Sequence, residues 1–440
     1  MFRQLLNCLG DRFGRRGESA PAAAVVKAAR PRAQSTAAPN SGGIGARRPL
    51  LSSRGEVAGF EFRIAEPLMR RADSPAQTAH TLALLTAMRV TAQGGRVSLA
   101  ELPPAWLMKP QVESLLAPSM LIGLFEDPAR PDPALRAQAA QRLRSAGVRV
   151  GWVNGDSQAQ SGNDLLPDFV LVRPRVPTPV ADLLRISHGS GTAQPGLEIV
   201  VTDLPSLEDL ELALRLGAQY ACGSVSTSTQ PAGSTPIAPA VARVCQLLNR
   251  LVRDEEVEAL ATEIKRDASL SVQLLRYASS VRYSRGSQMD SVEAAVLRVG
   301  RNELYKWLSL VLVRSAGGRP ISRALQDVAI ARARLFELLA QQRGEQHPSG
   351  LFTLGLASML PVLLNTSAAA SLSPLDLGDD ARAALLEGTG PWCNYLLIAQ
   401  ALERHDLQAV SRLASDYGGV EAVLSSVEQA WAWVAEQDAG

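Results

Sequence analysis

The groups best placed to do chemistry in this 440-residue sequence are a few arginines and one histidine–aspartate pair. Arg63, Arg173 and Arg175 follow short apolar runs, where planar guanidinium groups can grip a phosphate through paired hydrogen bonds. The same positions also suit solvated charges. His405-Asp406 places an imidazole beside a carboxylate, a metal-ligand pair, but a two-residue match arises often by chance. Of the other histidines, His80 falls in a helical pattern, His188 in a Ser/Gly loop and His347 before a proline. Cys8, Cys222, Cys245 and Cys393 are far apart with no CxxC, which points to neither a zinc site nor a disulfide framework. There is no Gly-x-Ser-x-Gly and no His-Glu-x-x-His. Gly42, Gly43 and Gly45 lack the Lys-Ser/Thr that completes a phosphate loop. No cofactor and no resident metal are expected.

Several elements must position these groups. With 46% apolar residues the chain can build sizeable cores, and its length suggests two or three domains. Lys and Arg number 45 against 43 acidic residues, so no global field favours nucleic acid. Candidate strands at 56–64, 96–99, 120–125, 148–153, 168–172, 197–202 and 219–225 alternate with helical patterns at 75–91, 133–145 and 207–216. Such alternation means a parallel α/β sheet with right-handed crossovers. Periodicity leaves a barrel and an open doubly wound sheet equally open. An uncharged Ser/Thr/Pro/Gly linker at 226–236 follows. From 237 to 440 the apolar spacing is helical throughout, an all-α domain expected to fold on its own. Asp267 is a natural N-cap there. Residues 348–375 carry no charge but are broken by Pro361 and Asn365, which reads as a buried helix and loop rather than a membrane span.

Residues 1–54 contain ten basic and two acidic residues, and from 17 onward lack periodicity, so this segment is expected to be disordered. Within it, Phe2, Leu5, Leu6, Leu9 and Phe13 form one helical stripe beside Arg3, Arg12, Arg15 and Arg16. A short amphipathic helix over 2–16, touching an anionic membrane surface or an acidic partner, is the expectation. No secretory signal is read, and a cytoplasmic protein is expected.

The order of these pieces resembles the EAL–HDOD signalling proteins of bacteria. "RDASLSVQLLRYASS" (266–280) resembles the HDOD segment Asp-Pro-x-Leu-…-Leu-Leu-Arg-…-Asn-Ser, with Ala268 and Ser279 replacing Pro and Asn. "SVEAAVLRVGRNELYKWLSLVLV" (291–313) is similar to the HDOD helix pair, including Gly300, Leu304 and Trp307. The resemblance makes Asp267, Arg276 and Trp307 candidate partner-binding positions, although cap, surface contact and core packing are their plain structural readings. In the first half, "VAGFEFR" (57–63) puts Glu61 in the place of the EAL signature glutamate, and "LGAQYACG" (216–223) puts Cys222 in the place of a glutamine. This implies a degenerate (β/α) barrel at 55–225 rather than an open sheet.

An EAL domain that hydrolyses cyclic di-GMP holds divalent metals on several carboxylates and an asparagine, with a lysine near the attacking water. Hard cations need such oxygen ligands from several strand ends. This sequence departs at most of those places: Ala100 stands for the asparagine, Gly123 for a glutamate and Leu171 for the lysine. Arg173 stands for the aspartate that follows, and Asn154, Gly155 and Asp156 replace an aspartate pair. Glu61, Glu126 and Asp203 are the carboxylates that remain. The resemblance therefore implies a non-enzymatic regulator acting through signalling-protein partners. It also leaves room for cyclic di-GMP bound without cleavage, with Glu61, Arg63 and Arg173 as the candidate contacts. A residual phosphodiesterase and a scaffold that binds no nucleotide are the alternatives.

Overall fold

The structure is a computed structural model that describes residues 47–63, 75–125, 131–153, 166–174, 180, 197–228, 237–279, 291–346 and 348–438. The expected helix at 2–16, most of the linker, Glu126, Asn154 to Asp156, Arg175, His188 and His347 lie outside the described residues.

Eight strands close into a barrel in sequence order: β1 Arg48–Ser52, β2 Val57–Phe62, β3 Val97–Leu102, β4 Met120–Leu124, β5 Arg149–Val153, β6 Phe169–Val172, β7 Glu198–Leu204 and β8 Tyr220–Gly223. β2 to β8 run parallel, while β1 is antiparallel to both of its neighbours, β2 and β8. The barrel implied by the family resemblance is therefore present, and the open sheet is not. One expectation needs correction. The composition of residues 1–54 predicts a disordered tail, yet residues 48–52 form the strand that closes the barrel. The run Pro49-Leu50-Leu51 shows no alternation because both its faces are covered. Leu50 joins the barrel interior and Leu51 the outer core, each with no exposed surface.

Leu50, Leu99, Leu121, Phe169, Leu171, Val200 and Cys222 fill the interior. The fit is tight. A Cβ on Gly151 would lie 2.3 Å from the Phe169 ring, so only glycine admits that ring there. Outside, α1 Pro75–Gln93, α2 Pro133–Ser145 and α3 Leu207–Arg215 cover the strands, α3 starting at the Ser206 cap, whose hydroxyl accepts from Asp209 N.

The helical half comprises α4 Pro239–Val252, α5 Val257–Lys265, α6 Ala268–Ser279, α7 Val292–Val299, α8 Arg301–Ser315, α9 Ser322–Arg343, α10 Pro348–Ala357, α11 Cys393–Glu403, α12 Leu407–Leu413 and α13 Val420–Asp438, with short helical turns between them. Its apolar interior is divided. Helices α4 to α8 enclose a core of their own around Leu247, Leu260, Leu274 and Leu308. The buried faces of α9, α10, α11 and α13 instead join the outer face of the barrel in one continuous core. Helix α9 is the seam, buried along most of its length from Ala324 to Ala340. It begins against the β1–β2 hairpin: Ala324 N donates to Gly55 O at 2.9 Å, and a Cβ on Gly55 would lie 2.1 Å from Pro320 O. The uncharged run from 348 forms α10 and the short turns Leu360–Leu364 and Ala368–Leu372. None of the described helices is long and apolar enough to cross a membrane.

Candidate functional site

Because β1 runs against the others, its first residue, Arg48, stands at the end of the barrel where the parallel strands finish; its register partner is Glu61. That end is where barrel enzymes build their sites. Glu61 on β2 is 1% exposed, a burial that a lone carboxylate could not sustain. It does not stand alone. Arg48 donates to Glu61 Oε2 from Nε at 3.0 Å and from Nη2 at 2.5 Å, and reaches Asp203 Oδ1 at 2.7 Å. Arg63 donates to Glu61 Oε1 at 2.9 Å and to Asp203 Oδ1 at 2.6 Å. Arg173 lies 3.2 Å from Glu61 Oε1 and 3.1 Å from Asp203 Oδ2, and also pairs with Glu101 of β3. Three guanidiniums thus interlock with three carboxylates. The Cys222 thiol faces Glu61 Oε2 at 3.5 Å, and burial pushes that thiol up. Burial would raise Glu61 as well, but Arg48, Arg63 and Arg173 outweigh it and hold the carboxyl well below its usual range. Asp203 occupies a left-handed backbone conformation, φ 61, a strain tolerated where surrounding contacts fix the residue.

The helical half also reaches the mouth. Between α11 and α12 the chain turns through His405, at φ 54, whose side chain is 4% exposed and lies 3.9 Å from Glu61 Oε2. Neither ring nitrogen has a hydrogen-bond partner among the described residues. Burial, and then the nearby Arg48, Arg63 and Arg173, keep this imidazole neutral, with its pKa well below the usual value. Glu403, two residues earlier, ties the corner down. Its carbonyl accepts from Arg48 Nη1 at 3.2 Å, its carboxylate accepts from Ser226 Oγ at 2.7 Å and pairs with the buried Arg332 of α9. Burial lowers Arg332 to about 10.

These residues do not fit a divalent metal pair. Glu61, Glu101 and Asp203 each carry at least one arginine where a cation would sit, and Leu171 puts an apolar side chain into the interior at the place of the lysine. Among the described residues no cluster of three or more His, Cys, Asp or Glu has metal-binding geometry.

The expected nucleotide contacts, Glu61, Arg63 and Arg173, meet in this lattice. Arg48, Glu101 and Glu403 escaped sequence reading. His405 was noticed only as half of a metal pair, yet its neighbour Asp406 turns away to cap α12, accepting from Ala409 N at 2.9 Å. The other candidates do not converge. Asp267 caps α6, accepting from Leu270 N at 3.1 Å, and pairs with Arg243 at 2.8 Å. Arg276 is exposed in the last turn of the same helix. Trp307 is 4% exposed on α8, its ring 6.5 Å from that of Tyr277.

Residues 238–370 match the HDOD domain family. The uncharacterised protein YuxH of Bacillus subtilis is 25% identical over 180 residues, which cover 40% of this chain and 44% of that protein. The cyclic di-GMP phosphodiesterase CdgJ of Vibrio cholerae is 26% identical over 194 residues, 43% of this chain and 45% of that protein. The matches therefore span less than half the length of either relative. Among solved structures, the Bacillus subtilis YkuI protein, which has an EAL domain and was crystallised with cyclic di-GMP and calcium, is 16% identical with a TM-score of 0.32, covering 61% of this chain and 74% of that one. The manganese and cyclic di-GMP complex of Klebsiella pneumoniae BlrP1 is 18% identical with a TM-score of 0.32, covering 41% and 54%. Likenesses at that level say nothing of ligand or activity. Residues 238–370 thus match the HDOD domain family and follow an eight-stranded barrel, and over less than half its length the chain is similar to a cyclic di-GMP phosphodiesterase.

Proposed function

We propose that this chain is a signalling regulator that does not hydrolyse cyclic di-GMP and acts by contacting other proteins. One observation carries the reading: the carboxylates at the barrel mouth are neutralised by Arg48, Arg63 and Arg173 rather than left open to metal. A metal would have to displace guanidiniums that each hold two or more carboxylate contacts, and Leu171 stands at the strand position where the family resemblance implies a lysine. The test is turnover of cyclic di-GMP by the full chain with Mg²⁺ or Mn²⁺. No product above a buffer blank is expected; metal-dependent turnover abolished by Glu61→Ala would overturn the reading.

A second reading, cyclic di-GMP bound but not cut, draws on Arg63 and Arg173, whose side chains are 21% and 23% exposed at the mouth and so reachable by phosphate. Calorimetry of the full chain with cyclic di-GMP separates the two.

A further inference from the structure

Arg404, His405 and Asp406 link α11 to α12, and their geometry exceeds what a connection needs. His405 sits in the left-handed region, which a β-carbon disfavours, at φ 54. Its ring is buried with neither nitrogen hydrogen-bonded among the described residues, Nε2 standing 3.9 Å from Glu61 Oε2, although buried polar atoms normally find a hydrogen-bond partner. Two unfavourable features at one residue imply that its position matters. That position is the barrel mouth. From β1, β2, β3, β7 and β8 and the segments after β2 and β6, the charged or titratable groups Arg48, Glu61, Glu101, Asp203, Cys222, Arg63 and Arg173 form the lattice on which the corner sits. Arg48 belongs to both assemblies, since it donates to Glu61 and Asp203 below and to the Glu403 carbonyl above.

We propose that this corner is an autoinhibitory plug. With His405 in the mouth Arg48 is closed off, its side chain 3% exposed, while Arg63 and Arg173 stay partly open; a phosphate-bearing anion engages all three only when the corner lifts. An incoming phosphate competes with Glu61 and with the Glu403 carbonyl for the same guanidinium, so occupancy of the mouth and lifting of the 404–406 corner are linked, each favouring the other. Glu403 sets the strength of the closure through Arg332 and Ser226. The inference deepens the second reading above and rests on the mouth being a site that binds phosphate. Its test reads binding and amide exchange, so hydrolysis, if found, would remove the non-hydrolytic reading and leave the plug standing.

The experiment uses the full chain, cyclic di-GMP as the probe, calorimetry, and hydrogen exchange over residues 400–410 and over β2 to β7. His405→Gly removes the ring while glycine accepts the left-handed backbone, so the corner stays docked over an opened mouth. Glu403→Gln keeps the size of the side chain but removes its charge, so the corner loosens. Both variants are expected to bind the probe about tenfold or more tightly than the parent chain, because the closed fraction no longer taxes the affinity. In Glu403→Gln the corner amides lose protection while the strands keep theirs, and adding probe to the parent chain speeds exchange at the corner. Binding by His405→Gly no tighter than that of the parent chain, with strand protection intact, overturns the plug. So does loss of corner and strand protection together in Glu403→Gln, which would make the corner part of one rigid body.

Discussion

At the barrel mouth the side chains of Arg48 and Glu61 are 3% and 2% exposed, whereas the Lys265–Glu293 pair that joins α5 to α7 is 49% and 42% exposed. The contrast runs through both regions. In the α4–α8 unit, apolar packing around Leu247 and Trp307 does the holding, and ion pairs such as Arg253–Asp376 lie on its surface, where each contributes little. Around the mouth, ions have been taken inside and must satisfy one another completely. Such a lattice adds little net stability over an apolar core of the same volume, but it makes the loss of any one member costly. Charge is therefore dispensable in one region and obligatory in the other.

The comparison is broken most directly at Glu61. Glu61→Ala leaves Arg48, Arg63 and Arg173 facing one another in a buried site, and is expected to destabilise the chain by about 3–5 kcal/mol in urea unfolding. A loss below 1 kcal/mol would mean that water or Asp203 compensates, and the distinction between the regions would fall.

Acid probes the same mouth more gently. His405 is held neutral with a pKa well below the usual 6.5, so above that pH folded and unfolded chains carry the same proton count at this residue. As pH falls below about 6.5 the unfolded chain gains a proton that the folded chain refuses, and stability declines by up to about 1.4 kcal/mol per pH unit. Glu61 acts in the same direction, but its window lies below its usual value of 4.5. Melting curves between pH 7 and pH 5 should show this slope in the parent chain and a shallower one in His405→Asn, whose side chain does not titrate and tolerates the left-handed backbone. Equal slopes would remove His405 as the cause.

The smallest expected effect lies in the helical unit. Asp267→Ala removes the α6 cap and its pairing to Arg243, and should cost about 1 kcal/mol, with the barrel strands unaffected in hydrogen exchange. A larger loss that spreads to the barrel would show that the two cores melt as one.

What could be read from the sequence divides along physical lines. The helices of the second half and seven of the strands follow local periodicity, and the Asp267 cap follows from residue type and position. Strand β1 did not, because Leu50 and Leu51 are buried on opposite faces and the run lies at the end of a segment rich in Ala, Pro, Ser, Gly and Arg. The mouth was half visible. Glu61, Arg63 and Arg173 sit at strand ends, but Arg48 meets Asp203 across 155 residues of sequence, and no local pattern encodes that meeting. Nor could the HD dipeptide reveal that its two residues point to different tasks, a lid and a helix cap.

Strand β1 also sets an order in time. It can pair with β2 as soon as the hairpin through Gly55 has left the ribosome, since that contact is local and antiparallel. Its other edge pairs with β8, so it stays open until Tyr220 and Ala221 have been made. At ordinary synthesis rates of about 5–20 residues per second, that edge waits on the order of ten seconds or more. Until then the nascent chain presents an unpaired strand edge to its surroundings, and α9, α10, α11 and α13, which share the outer core of the barrel, are translated only afterwards. The chain thus depends on whatever shields that edge during synthesis, a demand that the closed molecule no longer shows.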